Sequence, residues 1–269
     1  MARKRLDLRK TLFLLPNLIT LSSIFCGFDA IRLSATATSD DDFVKASLLL
    51  VFALFFDMLD GRVARLTKTQ SAFGLQIDSL ADVVSFGVAP ALLVYQWSLA
   101  QKGTVGLVVA FTFTAAGAVR LARFNVLSMG ESGQPTKPGK YIIGLPVPGA
   151  AGVLISLVVA NHAIGGPLGG PGYVGVMMAL TVFLAFLMVS TVRFRSFKDL
   201  RANGRTFALV GFALLSSVAI AMKTKPAFVL VWLLGIYVVI GLVETMAGLP
   251  RAMRRRRAEN ARRSIPPTA

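Results

Sequence analysis

What most constrains this chain is the recurrence of apolar stretches about as long as a bilayer is thick. Crossing ~30 Å of hydrocarbon takes roughly 20 helical residues. Eight segments meet that demand: 12–36, 43–66, 72–99, 104–127, 142–161, 173–192, 206–222 and 226–246. They predict an all-α, polytopic membrane bundle of about eight transmembrane helices, with a single membrane domain over 1–250 and a basic tail over 251–269. Hydrophobic residues make up 55% of the chain and charged residues 16%, with a mean hydropathy of +0.67. A water-facing globule and a disordered chain are both excluded by that balance. The first segment follows basic residues and precedes Ala35-Thr36-Ala37, as a signal peptide would. It is too long for one and contains Pro16, Asn17, Asp29 and Arg32, so it is read as a retained helix.

The scarce residue types narrow the chemistry. Cys26 is the only cysteine, which excludes a disulfide scaffold. His162 is the only histidine, which argues against a histidine-rich metal site or a Ser-His-Asp triad. Carboxylates, arginines and backbone must do the work.

The net charge of +16 is a topology signal. With the N-terminus in the cytoplasm, 24 of the 29 Lys and Arg residues fall on the inner side. Arg32, Lys45, Lys102, Lys223 and Lys225 fall outside, together with Asp40, Asp41 and Asp42. That bias predicts both termini in the cytoplasm. Next to a final membrane helix, Arg254 to Arg257 read as a patch for anionic lipid headgroups rather than for nucleic acid.

Charged groups inside membrane helices are costly and mark function. Asp57 and Asp60 lie near the end of the second span, and Asp78 and Asp82 near the start of the third. The spacings i, i+3 and i, i+4 put each pair on one helical face. A short connection near Lys68–Gln70 makes the two spans antiparallel neighbours. In such a hairpin Asp57 lies level with Asp82, Asp60 with Asp78, and Arg65 with Gly74. The carboxylates thus form two facing layers roughly 9 to 15 Å from the cytoplasmic helix ends. Four acids so placed need cations, and oxygen ligands suit Mg²⁺, Mn²⁺ or Ca²⁺. They also suit a pair of metals acting on a phosphorus centre. Gly61, Ala64 and Gly74 leave room for a ligand beside the backbone, and Arg65 at the mouth suits a phosphate.

Written out, the stretch is Asp57-x2-Asp60-Gly61-x2-Ala64-Arg65-x8-Gly74-x3-Asp78-x3-Asp82. It resembles the complete signature motif of the CDP-alcohol phosphotransferase family. Pro16-Asn17-Leu18-Ile19-Thr20, Ser85-Phe86-Gly87-Val88-Ala89-Pro90, Arg120-Leu121-Ala122-Arg123-Phe124-Asn125 and Gly144-Leu145-Pro146-Val147-Pro148 are similar to the family's phosphatidylserine synthase branch. The resemblance implies transfer of a phosphatidyl group from CDP-diacylglycerol to L-serine, with release of CMP. It implies two divalent cations, Mg²⁺ or Mn²⁺, with Ca²⁺ as a non-productive occupant. Asp57, Asp60 and Asp78 are then metal ligands, and Asp82 both a ligand and the general base. Asn17, Thr20, Asp60, Gly61, Ala64, Arg65 and Gly74 would line the CDP pocket. Arg120, Arg123 and Asn125 are candidates for the serine or its phosphate neighbourhood. A homodimer in the cell membrane, with its active site facing the cytoplasm, is also implied.

Other acceptors stay open within the family, glycerol 3-phosphate and an inositol phosphate among them. From a different class, a divalent-cation transporter would place its acids near the midplane on repeat-related broken helices. No internal repeat is evident here. Tyr141, Gly144, Pro146 and Pro148 are read as the start of the fifth helix, without a site role.

Overall fold

The computed structural model describes residues 8–67, 69, 71–128, 141–195, 216–217, 225, 227–243 and 245. The seventh expected span, 206–222, lies almost wholly outside the described residues, as does the basic tail 251–269.

Helix α1 (Leu8–Ala35) and helix α2 (Asp40–Leu66) pack along their lengths as an antiparallel pair. Asp40, Asp41 and Asp42 occupy the first turn of α2, where carboxylates favour the helix dipole. Asp42 accepts from the Lys45 ammonium, the Thr38 backbone N–H and the Ser39 hydroxyl, and these hold its carboxyl below the usual range. Helix α3 (Ala72–Asp82) starts at Ser71, whose hydroxyl accepts the Gly74 N–H at 2.9 Å. It runs through a π-helical stretch, Val83–Val88, into helix α4 (Ala89–Trp97). Pro90, which cannot donate a backbone hydrogen bond, sits in the first turn of α4 directly after the π stretch.

Helix α5 (Gly103–Ser128), helix α6 (Val147–Ile164) and helix α7 (Val174–Val189) complete the central bundle. Its core gathers Phe86, Leu93, Phe113, Leu154, Ile155, Met177 and Leu184, all fully buried. A further helix, α8 (Ala227–Val243), packs Leu234 onto Gly152 and Tyr237 onto Gly149 of α6.

Among the described residues, five helical stretches are long and apolar enough to cross a membrane: Leu15–Ala35, Ala72–Trp97, Leu99–Leu127, Val147–Ile164 and Pro171–Val189. The 27-residue α2 has the length, but Lys45, Asp57, Asp60 and Arg62 interrupt its apolar run. The all-helical expectation holds for the architecture with one correction. Residues Tyr141–Ile143 form strand β1 and Arg193–Arg195 strand β2, paired antiparallel with Ile142 opposite Phe194. The fifth helix therefore starts at Val147, not 142, and the sixth stops at Val189, short of 192. Gly144 turns the chain out of β1 at φ +77°, and its N–H donates to the Val192 carbonyl at 2.8 Å. Pro146 then caps α6 from outside.

Candidate metal and nucleotide site

The α2–α3 hairpin brings its acids together. Asp57, Asp60 and Asp78 each present a carboxylate oxygen, and the three oxygens lie within 4.8 Å of one another. The Asp82 carboxyl meets that of Asp57, with Asp78 also within electrostatic range. Asp57 and Asp82 are in direct side-chain contact, and Asp60 and Asp78 share the three-oxygen cluster with Asp57.

Helix α1 closes the site from the side. Thr20 donates its hydroxyl to Asp60 Oδ2 at 2.6 Å, and both side chains are only 5% exposed. The Pro16 carbonyl lies 3.1 Å from the same hydroxyl. One proton serves one partner, and the short contact is the length of a charge-assisted bond to a carboxylate. Asn17 reaches the start of α3: its Oδ1 would lie 3.8 Å from a Cβ placed on Gly74. Arg65, exposed at the mouth, folds back over Gly61 and lies within electrostatic range of Asp60. Ala64 ends the stripe, its carbonyl accepting the Thr69 N–H at 3.1 Å.

The third side comes from α5. Arg120 is 9% exposed and lies within electrostatic range of Asp82, with no ion pair between them. Asp82 Oδ1 and Arg120 Nε are both buried and without a hydrogen-bond partner. Each is a buried polar atom whose hydrogen-bonding capacity a polar ligand would satisfy.

The other two α5 candidates are engaged elsewhere. Arg123 donates to the Val189 carbonyl at the end of α7, at 3.4 Å. Asn125 is tied to α3, exchanging hydrogen bonds with Ser79 at 2.9 and 3.1 Å. One neighbour escaped sequence reasoning: Tyr237 of α8, which lies within electrostatic range of Arg120 and stacks obliquely on Phe194 of β2 at 5.6 Å. Nothing in its local sequence distinguishes it from a lipid-facing aromatic residue.

The donor set is all carboxylate oxygen, which fits a hard divalent cation and not zinc. The unpartnered Asp82 oxygen beside the three clustered acids fits the same occupant. Three near carboxylates without a cation would repel one another strongly.

The profile describing CDP-alcohol phosphatidyltransferases matches residues 13–189. The chain is 38% identical over 232 residues to the CDP-diacylglycerol–serine O-phosphatidyltransferase of Helicobacter pylori (strain ATCC 700392 / 26695), covering 86% of this chain and 91% of that protein. The protein of the same description from Methanocaldococcus jannaschii is 30% identical over 236 residues, covering 87% and 95%. That of Bacillus subtilis (strain 168) is 32% identical over 185 residues, covering 68% and 91%. The matched segment contains every carboxylate described above, with Asn17, Thr20 and Arg120. Tyr237 lies beyond it.

Proposed function

Because this chain belongs to the CDP-alcohol phosphatidyltransferase family, we propose that it transfers a phosphatidyl group from CDP-diacylglycerol to the hydroxyl of L-serine. The products are phosphatidylserine and CMP. The observation that carries this reading is the convergence of three carboxylate oxygens within 4.8 Å, with Asp82 alongside. The choice of serine is supported by the similar proteins, which carry that acceptor in their descriptions.

Asp57, Asp60, Asp78 and Asp82 would hold two divalent cations, Mg²⁺ or Mn²⁺. Bound there, such ions neutralise the diphosphate and ease departure of CMP. The chain's own groups account for the rest. Gly61, Ala64 and Gly74 leave space for the nucleotide against the backbone, with Asn17, Thr20 and Arg65 at its border. Thr20 holds Asp60 in one orientation through the 2.6 Å hydrogen bond. Asp82 takes the proton of the serine hydroxyl as its oxygen attacks the phosphatidyl phosphorus. The new phosphorus–oxygen bond forms as the bond to CMP breaks, with no covalent enzyme intermediate. Arg120, buried within electrostatic range of Asp82, suits the serine carboxylate, which a guanidinium grips with two hydrogen bonds. Asp82 and Arg120 thereby set the acceptor's two ends.

The lipid donor explains a site inside the bilayer but near its edge. Acyl chains stay in hydrocarbon while CDP and serine arrive from water. On this reading the enzyme is a homodimer of the cell membrane with its active site open to the cytoplasm, and its basic tail rests on anionic headgroups.

The test is purified protein with CDP-diacylglycerol and labelled serine, with and without Mg²⁺ or Mn²⁺. Label is expected in lipid only when metal is present. Use of glycerol 3-phosphate without use of serine would overturn the acceptor assignment.

A further inference from the structure

One turn deeper than the carboxylates, α1, α2 and the π stretch meet in a small polar knot that no step of the proposed reaction uses. Ser85 donates its hydroxyl to the Ser23 carbonyl at 3.0 Å. The Ser23 hydroxyl donates to the Ala53 carbonyl at 3.2 Å, and the two hydroxyl oxygens lie 3.5 Å apart. Ser23 is 1% exposed and Ser85 fully buried. In hydrocarbon such groups must find partners within the protein, and here the partners belong to neighbouring helices.

Each member of the knot stands one turn from a site residue. Ser23 follows Thr20 by three positions, Ala53 precedes Asp57 by four, and Ser85 follows Asp82 by three. In an α-helix the carbonyl at position 53 is also the acceptor for the backbone N–H at 57. Ser23 therefore grips the same peptide group from which the Asp57 turn hangs. Gly27 lets the helices come this close: a Cβ there would stand 2.8 Å from Ser85 Cα and 2.7 Å from its Oγ. The π turn, a form common at functional sites, begins at the residue after Asp82 and places Ser85 in the knot.

We propose that Ser23 and Ser85 are positioning residues that lock α1, α2 and α3 at one relative depth, so that Asp57 and Asp82 stay level for cation binding. This rests on the reading of the aspartates as a cation site. The physical reason is the mismatch of tolerances. A helix that slips by one residue moves ~1.5 Å and rotates ~100°. Mg²⁺ demands near-octahedral oxygens at about 2.0–2.1 Å, whereas Ca²⁺ accepts looser shells at about 2.3–2.6 Å. Loosening the lock therefore penalises the small ion more than the large one.

The experiment titrates Mn²⁺ into the purified full chain by electron paramagnetic resonance, with Mg²⁺ and Ca²⁺ as competitors. Ser85→Ala is measured beside Ser23→Ala, which removes the bond to Ala53 and the long hydroxyl contact to Ser85 and keeps the bond Ser85 makes to backbone. Mg²⁺ and Mn²⁺ are expected to bind about tenfold more weakly in each variant, with Ca²⁺ changed less than about twofold. The double variant is expected to lose no more than the stronger single one, because one lock is broken. Unchanged Mg²⁺ affinity in both variants would overturn the proposal while leaving the cation site standing. So would an equal fall for Mg²⁺ and Ca²⁺ that tracks a lower melting temperature. A wild-type chain that binds no Mn²⁺ would overturn both the cation reading and the lock.

Discussion

Asp82 and Asp60 are both acids of the candidate site, and their surroundings differ. Asp60 is oriented by Thr20 and sits within the three-oxygen cluster. Asp82 has an oxygen with no hydrogen-bond partner and the Arg120 guanidinium within electrostatic range. The substitution Asp82→Asn keeps size and removes the proton acceptor. It is expected to cut incorporation of labelled serine at least ~100-fold, with the melting temperature in detergent unchanged. Thr20→Val removes a hydrogen bond to a charged group, an effect of about 1.5–3 kcal/mol. Its expected signature is a rise of about tenfold or more in the half-saturating CDP-diacylglycerol concentration. Arg120→Lys keeps the charge and loses the paired donors. The KM for serine is expected to rise about tenfold, with the KM for CDP-diacylglycerol unmoved; a rise in both would place Arg120 at the donor instead.

At the scale of elements, the α2–α3 hairpin was legible because helix period and chain direction alone decide which residues share a level. The pairing of Asp57 with Asp82 needs no knowledge of the rest of the fold. The β1–β2 ribbon was illegible for the opposite reason. Tyr141 pairs with Arg195 across more than fifty residues, and neither strand is long enough to show an alternating pattern. Pro146 and Pro148 read as a helix start, and the helix does start there, but the residues before them belong to the ribbon. Its fragile point is Gly144, in the left-handed region and packed against the Met188 carbonyl. Gly144→Ala adds a side chain where neither φ nor space allows one, a strain of about 1–3 kcal/mol. The expected outcome is a lower melting temperature in detergent, with the Mn²⁺ affinity of the carboxylates retained.

Across the whole molecule, distribution of Lys and Arg predicts opposite exposures for the α1–α2 connection and the basic tail. Cys26 is buried and is the chain's only thiol, so introduced cysteines report without background. Asp41→Cys is expected to react with an impermeant maleimide only from outside, and Ala258→Cys only from the cytoplasm. Labelling of both from one side would overturn the predicted topology. Tyr237 shows what a linear reading misses at this scale: its place near Arg120 depends on α8 folding back onto α6, which no short motif announces. The carboxylates and their α1 partners, by contrast, all lie between Asn17 and Asp82, in helices consecutive along the chain. On the ribosome, then, the half that would hold the nucleotide is available to close while Arg120 is still unmade, and Tyr237 arrives last. A nascent chain would complete the proposed donor pocket well before the residues proposed to face the alcohol.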